Sequence, residues 1–176
     1  MAETSSIFAS ISPGMDIDMA TDGLVSAMKA FDIEAEDALD GIASKINAIG
    51  NTQAVDNQDI VNVLTRSSAA MKEANNTLEE TIALGTAATE ITRDAEAVGT
   101  ALKTMPMRIR GYDEETEEYV GGVEELSGAI ADLTKTASSP GGISLFTDET
   151  KTTYKSTYQI LKDISEIYDE LDDKTQ

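Results

Sequence analysis

Residues 57–92 read NQDIVNVLTRSSAAMKEANNTLEETIALGTAATEIT, and the reading of this stretch decides the fold. Ile60, Leu64, Ser67/Ser68 and Met71 recur at three- and four-residue steps, the spacing that lines one face of a helix. A helix from Asn57 or Gln58 to Ala74 is predicted, with those residues inward and with Asn75-Asn76 as its break. Thr77-Leu78-Glu79-Glu80 then fits a capping box, in which the Thr77 hydroxyl and the Glu80 carboxylate each accept from a free N–H at the helix start. Ile82, Leu84, Ala87 and Ala88 carry that next helix toward Ile91.

The same period continues on both sides. Toward the N-terminus, Ile17, Ala20, Leu24, Met28 and Phe31 form one stripe, with Asp16 or Asp18 as the cap. A second helix near Glu36–Ile49 places Leu39, Ile42, Ala43, Ile46 and Ile49 on one side. Gly50-Asn51 is its expected stop, supplying a left-handed residue. The short gap between these two helices predicts an antiparallel hairpin. Residues 2–14 end in the turn signal Ser12-Pro13-Gly14, and Ile7, Phe8 and Ile11 fit a short helical turn packed on the body. Toward the C-terminus, Asp94 caps a helix carrying Ala95, Val98, Ala101, Leu102 and Met105, with Pro106 as its limit because proline lacks an N–H and clashes with the preceding turn. Gly85 and Gly99 lie inside predicted helices, each at a cost of about 1 kcal/mol relative to Ala. Close approach of two helices is the expected reason.

Composition shifts after Tyr112. Seven acidic residues and no basic one stand between Tyr112 and Glu125, interrupted by Gly121-Gly122. This run reads as an exposed linker or a mobile helical turn. A helix near Val123–Thr136 follows, with Leu126, Ile130 and Leu133 as its stripe, then a break at Ser138-Ser139-Pro140-Gly141-Gly142. Ile143–Phe146 fits a single extended strand. The last predicted helix, Tyr154–Leu171, places Tyr158, Leu161, Ile164, Ile167, Tyr168 and Leu171 on one face. Asp172-Asp173 oppose its macrodipole, so this end is expected to fray.

Aromatic residues make up 5% of the chain and Trp is absent, so the core must come from Ala, Ile, Leu, Val and Met. That suits close-packed helices better than a sandwich of strands. The net charge of −20 argues against nucleic acid, whose phosphates call for Lys and Arg, and against anionic membranes. There is no Cys and no His, which removes disulfides, thiol nucleophiles, Cys/His zinc sites and imidazole catalysis. Met1-Ala2-Glu3-Thr4 lacks the start of a signal peptide, and no run reaches the ~18 apolar residues of a membrane span. The cytoplasm of the producing cell is the expected compartment.

Several residues invite a sharper reading. Glu114/Glu115 and Glu117/Glu118 pair carboxylates, but within a polar run where nothing desolvates one of them for acid–base work. Asp16, Asp18 and Asp22 do not match the spacing of a calcium loop. Lys103, Arg108 and Arg110 are the one basic concentration and suit a helix C-terminus or a contact with an acidic neighbour, either the run 113–118 or another chain. Asn75-Asn76-Thr77 has the form of a glycosylation sequon but reads as turn and cap. Tyr154, Tyr158 and Tyr168 read as the edge of a core. The Ser and Thr residues have no activating His or Lys beside them. No catalytic, cofactor-binding or metal-binding residue is predicted, and the chain is not expected to be an enzyme.

Four stretches resemble the phage-related minor tail protein, or tail tape-measure, family. They are Met19–Phe31, Asn62–Ala74 with its core Leu64–Met71, Glu96–Thr104 followed by Met107–Gly111, and Thr153–Ile164. Their order is more specific than any one of them, and together they span roughly residues 15–171 of the sequence. The resemblance implies a protein that lies along the lumen of the tail tube, sets its length during assembly and leaves with the DNA. Members of that family are generally much longer, with extended coiled coils and apolar membrane-active segments, so this chain is expected to be an excised fragment or a prophage remnant. Length setting is not expected of this piece alone.

The sequence thus predicts an all-α fold: a compact bundle of roughly five helices over residues 15–111 and a looser two-helix C-terminal appendage. The expected divisions are a lead of 1–14, the bundle of 15–111, an acidic linker with one helix over 112–142, and a terminal segment of 143–176. The expected function is structural, in a phage tail, through helix packing. Expected partners are tube proteins or other tape-measure segments, with self-association a further possibility, in the virion tail and in the host cytoplasm during assembly. Two rivals belong to other classes. An acidic mimic of nucleic acid would carry carboxylates on one rigid face; a cell-wall hydrolase would need a cleft with two convergent carboxylates.

Overall fold

The computed structural model describes residues 2–113, 116, 118–119, 123–172 and 175. The protein is all-α in class. Its elements are α1 (Ala2–Ser10), α2 (Ile17–Phe31), a π-helical turn (Leu39–Ala43) running into α3 (Ser44–Gly50), α4 (Asn57–Glu73), α5 (Leu78–Thr92), α6 (Ala95–Ile109), α7 (Val123–Leu133), α8 (Thr157–Ile167) and a closing 3-10 turn (Tyr168–Glu170). Tyr112–Asp113 (β1) and Glu118–Tyr119 (β2) pair antiparallel over two residues. The chain divides into two compact units, Met1–Thr104 and Met105–Gln176. Glu114, Glu115, Glu117, Gly121 and Gly122 of the acidic run, and Asp173, lie outside the described residues.

In the first unit α4 is the axis. Its residues Ile60, Val61, Val63, Leu64, Ser67, Ser68 and Met71 are all buried, which is more than one face and marks a helix with neighbours on several sides. The core around Leu64 gathers Phe8, Leu24, Ile42, Ile46, Leu78 and Ile82 from α1, α2, the π turn, α3 and α5. The caps follow the sequence. Asp16 accepts from the Met19 N–H at 2.8 Å. Asn75 breaks α4 in the left-handed region at φ 62°. The Thr77–Glu80 capping box closes with bonds of 3.1 and 2.9 Å, and Asp94 accepts from the Ala97 N–H at 2.9 Å.

The glycines explain how closely the helices approach. A Cβ on Gly23 of α2 would stand 2.6 Å from Val61 Cγ1, and one on Gly85 of α5 would stand 2.7 Å from Val63 Cγ1. On Gly99 of α6 it would meet the Val63 Cα at 3.2 Å and the Arg66 Cβ at 3.0 Å. Three helices therefore place a glycine against α4, which is the role expected of Gly85 and Gly99. Among the described residues nothing lies within 4 Å of such a Cβ on Gly128 of α7. One substitution should then change sign with position. Gly128→Ala is expected to stabilise by up to about 1 kcal/mol through helix propensity, whereas Gly85→Ala is expected to destabilise by about 1–3 kcal/mol because the β-branched Val63 cannot swing aside. Urea unfolding followed by circular dichroism measures both.

Several local expectations are corrected. Residues 2–10 form a nine-residue helix rather than a single turn, anchored by the fully buried Phe8. Ile17 is exposed, and Gly23 and Ala27 are buried on α2 in its place. The helix expected from Glu36 begins later and opens as a π turn. Asn51 has φ −82°, so no left-handed stop follows α3; Gly50 instead makes room for the Asn57 amide, whose Oδ1 would lie 2.0 Å from a Cβ. Pro106 does not end α6, which continues to Ile109. Proline costs a helix one internal hydrogen bond, and three residues of helix follow it here.

The second unit is built from α7, α8 and the loop between them. Leu145, Phe146 and Ile160 form one cluster with Ile109, Val123, Ile130 and Tyr154 packed on it; Ile143, Ile167 and Leu171 form another. The strand expected at Ile143–Phe146 is reduced to an isolated bridge between Phe146 and Tyr154. The last helix starts at Thr157, not Tyr154, because Ser156 and Gln159 form a capping box there. Its final turn tightens to a 3-10 helix after Ile167. Tyr154, Tyr158 and Tyr168 consequently do not share one helix.

Candidate functional site

The acidic residues are the most abundant potential site formers, and the fold commits many of them to backbone N–H groups. Asp16, Asp94 and the Asp56/Asp59 pair cap helices. Glu90 accepts from the Ala54 N–H at 2.9 Å while Arg93 donates to the Ala54 carbonyl at 2.5 Å, so the end of α5 grips the loop before α4. Lys45 pairs with Glu79, whose carboxyl is held below its ordinary range by that bond. Among the described residues no group of three Asp or Glu side chains is close enough to hold a metal ion. Asp16, Asp18 and Asp22, the loose calcium pattern, sit along the start of α2.

The basic residues lie toward the end of α6, with Lys103 and Arg108 on the helix and Arg110 just beyond it. Arg108 lies in the last turn of α6, and the Arg110 guanidinium stacks over the Tyr154 ring, 5.0 Å from its centroid. Tyr154 is in turn tilted against Phe146, with centroids 4.7 Å apart. The tyrosine is thus the edge of a core. Of the two carboxylate pairs, Glu118 is exposed on β2 and the other three members lie outside the described residues.

Sequence reasoning missed the two most organised polar features. The first is a cleft of about 490 Å³ in the second unit, lined by Ser138, Ser144, Lys155, Asp163, Glu166 and Ile167 among others. Lys155, its one cation, is tied to Asp163 at 2.6 Å. The Ser144 hydroxyl is engaged with the backbone of Phe146, accepting its N–H at 3.0 Å. The cation of the cleft is thus neutralised from within, and Ile143 and Ile167 make part of its wall apolar. The second is the loop 147–154. Asp148 accepts from the hydroxyls of Thr150 and Thr152 and from the N–H groups of Thr152 and Thr153, at 3.0 and 3.1 Å for the latter two. The alternation Asp-x-Thr-x-Thr is the signal that could have found it, since a short carboxylate readily folds back onto nearby donors.

The threonine bonds hold the Asp148 carboxyl well below its ordinary value of 3.8. Glu170, which accepts from Ser138, is shifted the same way. A depressed folded-state value means a stabilising contribution that is present above the unfolded value and lost as pH falls through the folded one. Asp148→Asn is therefore expected to lower stability at neutral pH and to flatten the fall in stability below about pH 4. Acid titration of amide exchange in residues 147–154 checks this.

A family model described as Phage-related minor tail protein matches residues 1–176. The chain belongs to the phage-related minor tail protein family. No curated protein and no solved structure matches it. The match extends past the 15–171 of the sequence resemblance to include α1 and residues 172–176. Membership in the minor tail family gives the chain a structural role in a phage tail and a place in the virion tail, in association with other tail proteins. Among the described residues of this family member, no helix is long and apolar enough to cross a membrane.

Proposed function

We propose that this chain acts as a piece of a tail tape-measure protein, contributing to tail assembly by packing its helices against tube subunits or other tape-measure segments. The observation that carries the proposal is the family match over the whole chain, joined to the ordered series of stretches that resemble tape-measure proteins. The dispersed acids support it over the nucleic-acid mimic. Carboxylates spent on caps and loop clamps, as at Asp16, Asp94 and Asp148, are not a phosphate-like array on one face. Partners other than a second copy fit better, because two chains of −20 repel each other. The site of action is the assembling tail in the host cytoplasm and then the virion.

In-frame removal of the segment from the phage genome tests this. Electron microscopy of the lysate is expected to show tails that are missing or changed in length. Tails of normal number and length would refute the role.

A further inference from the structure

Helix α5 is apolar on both sides. Its inner face, with Thr81, Ile82, Gly85, Thr86 and Thr89, is buried. The stretch Thr81–Thr89 contains no charged residue, and the stripe opposite the buried one consists of Ala83, Leu84, Ala87, Ala88 and Ile91. Steps of three and four residues link these five along a single unbroken helix, so they form one continuous surface. Ala83, Ala87 and Ile91 are exposed, Ile91 to 85%, and Leu84 and Ala88 are half-buried. The outer side of α4 is different in kind: Thr65, Arg66, Ala69, Lys72 and Glu73 are exposed there, a face made for water. A helix that is apolar all round is one that becomes covered all round, and a contiguous exposed apolar surface marks a contact.

Two features of this surface select its occupant. It offers no charge to match, because the acids bordering it are engaged within the chain: Glu79 with Lys45, Glu80 with the Thr77 N–H and Glu90 with the Ala54 N–H. A charged residue laid on the stripe would lose water and gain no partner. Its middle is also low, being made of three alanines. Within this unit the counterpart of a small helix residue is a β-branched side chain, as Gly23 faces Val61 and Gly85 faces Val63. We infer that the outer face of α5 docks an uncharged helix face of another tail protein, whose ridge of Val, Ile or Leu settles on Ala83, Ala87 and Ala88 beside Ile91. This rests on the tail-packing role proposed above and names the chemistry of one partner. A second copy fits poorly, since α5 against α5 sets alanine on alanine, leaves the low middle unfilled and brings together two chains of −20. A lipid surface fits poorly too, because the stripe holds no aromatic residue and no cation.

The test compares Ala87→Arg, which places a cation in the middle of the stripe, with Ala69→Arg, which places the same side chain on the charged face of α4. Both positions are exposed, so both variants should unfold at the wild-type urea midpoint. Introduced into the phage, Ala87→Arg is expected to lower the yield of complete tails about tenfold or more, the effect of burying an unpaired charge in an interface, whereas Ala69→Arg should leave the yield unchanged. A photoreactive diazirine side chain in place of Ala87, activated in purified tails and mapped by mass spectrometry, is expected to link to aliphatic residues of a helix in another tail protein. A normal yield with Ala87→Arg, equal losses from the two variants, or a lowered urea midpoint confined to Ala87→Arg would overturn the inference. So would a link that joins two copies of this chain or runs to charged residues. Binding of the wild-type chain, but not of Ala87→Arg, to phosphatidylcholine vesicles would overturn it as well, since lipid would then own the face. Normal tails with Ala87→Arg, where in-frame removal of the segment abolishes them, leave the tail role standing and remove only this surface.

Discussion

Leu64→Ala is expected to lower the unfolding free energy by about 2–5 kcal/mol. Leu64 is fully buried at the middle of α4, where the core cluster collects residues from four other elements and the π turn. Removing three of its carbons costs both transfer free energy and the cavity left behind. The surroundings have little freedom to close over that cavity, because Gly23 and Gly85 already hold α2 and α5 at near-contact with Val61 and Val63. The upper half of the range is therefore the expected outcome. Urea unfolding by circular dichroism gives the value, and Ile91→Ala is the control. Ile91 is 85% exposed, so its truncation should change stability by less than about 0.5 kcal/mol. Equal effects at the two positions would mean that α4 is not the axis of this unit.

Gly142→Ala should damage the second unit by about 3 kcal/mol or more, from a left-handed residue combined with a steric collision. Gly142 has φ +70°, and a Cβ there would stand 1.7 Å from the Ala131 carbonyl oxygen and 2.7 Å from the Ala131 Cα. Backbone cannot rotate away as a side-chain tip can. The turn also sets the next residue in place: Gly142 donates to the Ser139 carbonyl at 3.0 Å, and the Ile143 N–H donates to the Thr134 hydroxyl at 2.7 Å. Moving this turn pulls Ile143 from its cluster with Ile167 and Leu171. Hydrogen exchange is expected to show lost protection at Ile143 and along α8. Gly141→Ala serves as the comparison, because none of the described residues lies within 4 Å of a Cβ at that neighbouring glycine, and near-wild-type protection is expected there.

Helical periodicity made α4 legible almost residue by residue, since Ile60, Leu64, Ser67, Ser68 and Met71 all turn inward. The capping signals at Asp16, Thr77 and Asp94 were legible for a related reason. A cap depends on a side chain reaching a backbone group within its own turn, and that information is local. What hydropathy alone could not rank was the inward face of α5. Thr81, Gly85, Thr86 and Thr89 are buried there while Ala87 and Ile91 face solvent. Among the described residues the Thr86 and Thr89 hydroxyls find no hydrogen-bond partner, which opposes their burial. Small residues allow close approach to α4, and that gain depends on Val63, a residue far along the chain. The π turn at Leu39–Ala43 and the continuation of α6 through Pro106 escaped for the same reason: tertiary packing overrides local propensity. At the level of function, the ordered stretches carried the family, whereas spacing alone did not show which members of an apolar stripe stay exposed. Ile17 has the spacing of a core residue yet is exposed, while Ala20, Leu24 and Ala27 of the same helix are buried.

Quantitative mass spectrometry of purified phage tails tests the structural tail role most directly. Peptides from both Met1–Thr104 and Met105–Gln176 are expected in intact tails at a fixed copy number relative to the tube protein, and are expected to persist through high-salt washing. Finding the chain in the infected-cell lysate but not in tails or their assembly intermediates would contradict the account.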